Sequence, residues 1–202
     1  MKTWAFASLA IMIGLLALAL ACGSRSSSRG SAAPDDEPAA DDDNDSSPAA
    51  DDDSAGGVWT DSASGLTWQM TPPTGNYNWG GAQTYCNALN LAGRSGWRLP
   101  TISELRSLVR GCPGTQTGDG CGVTDQCLDY DSCWTKACGG CDDGAGPGGG
   151  CYWPSPLGGS CEWYWSASAV AGSEAAWIVL FEDAYVDDNN VYFDNQVRCV
   201  HS

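Results

Sequence analysis

Hydrophobic positions fall into four regimes along this chain. From Trp4 to Ala21 they run almost without interruption and without charge, behind Lys2. From Gly23 to Gly57 they all but disappear: the stretch holds no aromatic residue, no Val, no Leu and no Ile. From Val58 the pattern becomes that of a folded domain. VWTD-SASG-LTWQM predicts two short strands around a Gly-containing turn, a β-hairpin. Trp79, Ala82, Tyr85, Cys86 and Leu89 recur at helical spacing, which predicts an amphipathic helix ending near Gly93. In GWRLPTISELRSLVRG, Pro100 precedes a capping box of Thr101 and Glu104. Ile102, Leu105, Leu108 and Val109 form the apolar stripe of this second helix, and Gly111 is the expected stop. Between about residues 111 and 163 periodicity is lost, and eight cysteines sit among Gly, Pro and Asp, the mark of a long insertion held by covalent staples. YWSAS, WIVLF, AYV, VYF and VRCV then read as short strands between polar turns. Two helices followed by a small antiparallel sheet give an α+β class with a Cys-rich stapled insertion.

The first two regimes are not fold. Residues 1–21 have the charged start, apolar run and small-residue end of a secretory signal. A run this long could also be a membrane-spanning anchor. Ala19-Leu20-Ala21-Cys22-Gly23 resembles a bacterial lipobox, in which Cys22 is lipidated and becomes the first mature residue. The expected partner of this segment is therefore a membrane, reached through a lipid anchor. By the same resemblance, Gly rather than Asp after Cys22 favours the outer membrane of the bacterial envelope. Residues 22–57 cannot bury enough apolar surface to offset ordering entropy, and their Asp runs repel one another, so they read as a disordered acidic tether. A calcium-collecting acidic tail is the competing reading. A flexible Asp run, however, lacks the preformed oxygen cage of a tight calcium site.

Charge and composition narrow the chemistry of the 58–202 domain. The chain carries 25 Asp+Glu against 9 Lys+Arg, a formal net charge of -16, which opposes phosphate backbones and excludes nucleic acid as a partner. The domain shares this acidity. The only histidine, His201, is the penultimate residue, which leaves no His-based triad or multi-His metal site. There is no G-x-S-x-G elbow, P-loop or dinucleotide fingerprint, so the expectation is a non-catalytic protein without a cofactor.

Cysteine arithmetic fits export. Of 11 cysteines, setting aside Cys22 leaves an even set: Cys86, Cys112, Cys121, Cys127, Cys133, Cys138, Cys141, Cys151, Cys161 and Cys199. In an oxidising compartment they form a disulfide framework. The eight insertion cysteines permit on the order of a hundred connectivities, and spacing does not choose among them. Cys138-Gly-Gly-Cys141 is also compatible with zinc or with redox chemistry, although no His and no βαβ pattern accompany it.

The succession GLTWQ, W-x-x-A-x-x-YC-x-x-L, G-WRLPT-x-x-EL-x-x-L, YWSAS, AW-x-V-x-F and VRCV resembles the C-terminal domain of Legionella-collagen-like proteins. The likeness spans Gly65 to Val200 except for the insertion. That family is in turn similar to the C-type-lectin-like fold shared with formylglycine-generating enzymes. It includes cell-surface adhesins, so the resemblance implies binding of a glycan or a surface protein. It also implies a bridge between Cys86 on the first helix and Cys199 in the last strand. Trp68, Trp79, Trp97, Trp165 and Trp177 sit at family-like positions and read as core. Trp134, Trp153 and Trp163, in or beside the insertion, are the candidate ligand surface, with packing as the alternative. Lectin-like relatives hold calcium with acid and amide clusters near the last strands. Asp187, Asp188 and Asp194 are the candidates here, against the plainer reading of a polar hairpin turn. The collagen-like repeats are absent, and the acidic surface does not fit sulfated polysaccharides. The competing function is a structural component of the envelope or matrix with no specific ligand. The sequence leaves the oligomeric state open.

Overall fold

The computed structural model describes residues 57–202. The signal segment, the Cys22 lipidation site and residues 22–56 of the tether lie outside the described residues. The architecture is α+β with a Cys-rich insertion, and it contains two antiparallel three-stranded sheets rather than one. Strand β1 (Val58–Thr60) pairs with β2 (Thr67–Gln69) as the expected hairpin. Strand β6 (Val200–His201) adds to the other side of β2, so the order is β1-β2-β6. The second sheet, in order β3-β4-β5, comprises β3 (Trp163–Ala169), β4 (Ala175–Leu180) and β5 (Tyr185–Asn190). The division arises because the last strand returns to β2, where Trp68 faces Val200, instead of extending the β3–β5 meander.

Helix α1 (Trp79–Ala88) starts where the Asn78 side chain accepts from the Gly81 N–H at 2.8 Å. It stops earlier than its apolar spacing predicts. Leu89 is already extended, and Leu91 and Arg94 exchange backbone hydrogen bonds in a tight turn. Helix α2 (Ile102–Ser107) carries the predicted capping box: Thr101 Oγ1 accepts from Glu104 N–H, and Glu104 Oε2 accepts from Thr101 N–H at 2.8 Å. Its stripe of Ile102, Leu105, Leu108 and Val109 is fully buried.

The β3–β5 sheet separates two hydrophobic clusters, because successive side chains on a strand point to opposite faces. Trp165, Ala176 and Ile178 join Ala82 and Cys86 of α1 on one side. Tyr164, Trp177, Val179 and Val186 face α2 and the insertion on the other. A strand buried on both faces reads as an unbroken apolar run, which is how AAWIVL appears in the sequence.

The insertion is therefore the second covering layer of the sheet and not a loose loop. It contains short 3-10 turns at Pro113–Thr115 and Lys136–Gly139 and one helical turn, α3 (Tyr130–Cys133). Its Cys112, Cys121, Val123, Cys133, Cys138, Cys151, Tyr152, Trp153 and Leu157 are buried in the shared core. The bridges join Cys112 to Cys141, Cys121 to Cys138, Cys127 to Cys133 and Cys151 to Cys161. The two cysteines of C-G-G-C thus pair with different partners and not with each other, which removes the zinc and redox alternatives for that motif. Cys86 joins Cys199 across a sequence separation of 113, tying α1 to the segment that leads into β6.

One predicted strand is absent. Val191–Phe193 form a turn in which Asn190 O accepts from Phe193 N–H at 3.0 Å and Asn190 Oδ1 accepts from Tyr192 N–H at 3.1 Å. Asn at the start of such a turn replaces ladder bonds with local ones. Tyr192 and Phe193 are left 72% and 62% exposed, the only exposed large hydrophobics among the described residues.

Candidate functional site

Residues at both ends of the domain meet beside this turn. Tyr77 and Asn195 exchange backbone hydrogen bonds at 2.9 and 3.0 Å, and Gln196 N–H donates to Trp163 O at 2.9 Å. These contacts bring Asn76, Glu162, Trp163, Asp194, Asn195 and Gln196 around a small cleft of about 100 Å³. Gln196 Nε2 donates to Asn76 Oδ1 at 2.6 Å, a contact spanning 120 residues of sequence. Asn195 is 6% exposed, and its Nδ2 has no hydrogen-bond partner. Trp68 Nε1, Trp153 Nε1 and Arg198 Nε in the core are likewise without partners, so the orphan marks tight burial and does not by itself point to a ligand. The half-buried Trp163 supplies the only aromatic wall. Carboxylates and amides beside an indole can hold hydroxyl-bearing ligands: the polar groups exchange hydrogen bonds, and the ring covers an apolar C–H face.

The three candidate tryptophans take different positions. Trp153 is a core residue, 1% exposed, which corrects its assignment to a ligand surface. It packs on Phe181 and Tyr164, and the Arg198 guanidinium lies 4.7 Å from its ring centre. Arg198 is itself buried, donates to the carbonyls of Gln69, Met70 and Gly158, and has its pKa lowered by burial. Close packing also fixes a neighbouring glycine, since a Cβ on Gly148 would fall 2.3 Å from the Trp153 side chain. Trp134 is half-buried and committed to the domain. Its Nε1 donates to Val186 O at 2.8 Å, and its ring stacks on Tyr130, which stacks in turn on Trp177. Backbone N–H groups of Cys141 and Gly144 add bonds to Asp183 O and Glu182 O just before β5. With these contacts the insertion packs along the β4–β5 turn and caps the Val186 carbonyl of the edge strand β5. Trp163 alone lines a cleft, and its ring also meets Tyr185 edge-on at 5.8 Å.

The calcium candidates are not gathered. Asp187 and Asp188 lie within strand β5 and not in a hairpin turn, opposite Ile178 and Trp177, whereas Asp194 lies in the cleft. Among the described residues no three His, Cys, Asp or Glu side chains converge as metal ligands. Burial pushes both the Asp187 and Asp188 carboxyls up, the nearby Tyr130 hydroxyl partly offsetting this for Asp187. The Tyr130 hydroxyl is pushed up to about 12, by burial first and then by Asp187.

Two larger hollows are less suited to a polar ligand. One of about 470 Å³ lies beside α2, but its cations are engaged: Arg106 donates to the carbonyls of Thr115, Val123 and Gln116, and Arg110 approaches Asp61 at 3.8 Å. The other, about 610 Å³, is a mainly apolar groove on the outer side of α1 around Tyr77, Tyr85 and Leu89. Sequence reasoning singled out Trp163 and Asp194 but missed Asn76, Glu162 and Gln196. No local motif marks those three, because the cleft forms only when the two ends of the domain pair.

The molecule is thus a stapled α+β domain whose larger sheet is covered by a helix on one side and by α2 and the insertion on the other. Residues 57–201 match the Lcl C-terminal domain, and the chain belongs to that family. No curated protein matches the chain. Among the described residues no helix is long and apolar enough to cross a membrane.

Proposed function

We propose that this chain is a non-catalytic module of the bacterial cell envelope that binds a glycan at the cleft between Trp163 and Asp194. Family membership supports a surface-associated module. The lipobox-like Cys22 and the acidic tether support a lipid-anchored domain held away from an outer membrane. The observation that carries the reading is the cleft itself, where two carboxylates, the paired amides of Asn76 and Gln196 and an indole are gathered from the two ends of the domain. None of these groups is needed to fill either hydrophobic cluster, apart from the partly buried Trp163.

A structural role with no specific ligand is the second reading, favoured by the buried Trp153 and the committed Trp134. A glycan and surface-protein array probed with the purified chain separates the two. Glycan binding that Trp163→Ala and Glu162→Ala both abolish, with the fold retained by circular dichroism, is the expected result. An array without any hit, or hits that survive both substitutions, would favour the structural role.

A further inference from the structure

We infer that the cleft selects a cationic amino sugar, the ammonium-bearing residue of a de-N-acetylated glycan. This rests on the glycan-binding reading and deepens it. The argument is a balance of donors and acceptors. Gln196 Nε2 is already given to Asn76 Oδ1, so Gln196 offers its carbonyl and Asn76 its amide N–H. Glu162 and Asp194 offer only acceptors when ionised. The lining therefore presents more acceptors than donors and two negative charges, with no cation among its residues.

A neutral sugar hydroxyl can both donate and accept, but it leaves the two carboxylates uncompensated. An ammonium on the ring supplies three donors and the opposite charge, while a neighbouring hydroxyl oxygen answers the amide donor of Asn76. Charge-assisted hydrogen bonds of this kind are roughly twice as strong as neutral ones. The size of the cleft agrees, since about 100 Å³ admits the edge of one ring and its substituent and not a buried chain. Trp163 at the rim can cover the C–H face of the same ring, and an indole face also attracts a cation.

The rest of the surface discourages anionic glycans. Of the domain's six cations, Arg106 and Arg198 are buried and Arg98 and Arg110 are paired with Glu104 and Asp61, which leaves the exposed Arg94 and Lys136, neither of which lines the cleft. A sulfate or carboxylate on the ligand would face Glu162 and Asp194 as like charges, an arrangement that rejects partners.

The test is calorimetric titration of the full chain with four probes. These are a glucosamine oligomer, its fully N-acetylated counterpart, a glucose oligomer of the same linkage, and oligolysine of equal charge. The glucosamine oligomer should bind about tenfold more tightly than the other three, and Glu162→Gln or Asp194→Asn should each remove most of that preference. Both substitutions replace an exposed carboxylate with its amide, so the fold is kept. Equal or tighter binding of the N-acetylated or glucose oligomer would overturn the amino-sugar assignment and leave the glycan-binding reading standing. Oligolysine binding as tightly as the glucosamine oligomer would overturn it in favour of charge alone. Binding unchanged in both amide variants would overturn the placement. No binding by any oligosaccharide would overturn this inference, and the glycan array then decides the glycan-binding reading separately.

Discussion

Between Cys112 and Cys161 the chain carries two tryptophans, and the domain engages both. Between Val191 and Asn195 it carries two aromatics, and both stand in solvent. By composition the two regions should be the other way round. The insertion is rich in Gly, Pro and Asp, as surface loops are, while VYF is an apolar run suited to a strand. The difference lies in what fixes each backbone. In the insertion four bridges hold the chain without aliphatic periodicity, so a few large side chains can be driven inward: Trp153 onto Phe181 and Tyr164, Tyr152 alongside Leu157. At the tip, Asn190 closes the turn with its own backbone and side chain, and the turn needs no burial of Tyr192 or Phe193 to persist. Covalent and local polar constraints, more than hydrophobicity, decide which aromatics are buried.

The largest expected effect is on the inward side. Trp153→Ala should cost about 3–5 kcal/mol, the range for deleting a fully buried Trp side chain, read by denaturant unfolding with the disulfides intact. A loss of the size seen at surface sites would mean that the insertion does not share the core. Replacing Cys112 and Cys141 together by Ser should cost about 3.5 kcal/mol from loop entropy alone, given their separation of 29 residues. The Cys127–Cys133 pair, 6 apart, should cost about 2 kcal/mol on the same basis. Reversal of that order would show that strain or packing, and not chain entropy, sets the value of these staples.

A smaller effect comes from the junction of α2 with the insertion, where Thr101 Oγ1 donates to Asp125 Oδ2 at 2.9 Å and Glu104 holds Arg98 through two contacts of 2.6 Å. Burial pushes the Glu104 carboxyl up, but the Arg98 guanidinium and the Thr101 groups together hold it below its usual value. Its contribution is therefore present above the unfolded-state pKa and is lost as pH falls through the folded one. Asp187 and Asp188, raised by burial, act in the opposite sense: the folded state holds their protons more tightly, so acidification toward the ordinary carboxylate range adds stability there. Glu104→Gln should lower stability at neutral pH by no more than about 1 kcal/mol, since the pair is partly exposed. It should also flatten the loss of melting temperature on acidification. An unchanged acid slope would show that Glu104 is not the residue responsible. The smallest effect belongs to the outward side: Tyr192→Ala and Phe193→Ala should each change stability by no more than about 0.5 kcal/mol.

Legibility in the sequence followed the same division. Where one segment decided its own structure, residues were enough: the Thr101–Glu104 box, the buried stripe of α2 and the β1–β2 hairpin all follow from local pattern. Where distant segments compete, pattern misled. VYF has strand-like residues, but Val191 is bonded to Glu174 and to the start of α1, and Asn190 closes a turn over Tyr192 and Phe193. The three tryptophans near the insertion look alike in sequence, and only the packing of Arg198 and Phe181 separates Trp153 from Trp163. The cleft was the least legible feature. Asn76 and Gln196 are joined across most of the domain, and no spacing rule links them.

In the proposed division of labour the insertion serves the fold and recognition falls to the cleft beside the tip. Hydrogen–deuterium exchange of the chain, with and without the tightest-binding glycan from the array, tests it most directly. Slowed exchange confined to residues around Asn76, Glu162–Trp163 and Asp194–Gln196, with the segment from Cys112 to Gly159 unchanged, is the predicted footprint. Protection centred between Cys112 and Gly159, with the cleft unaffected, would contradict it.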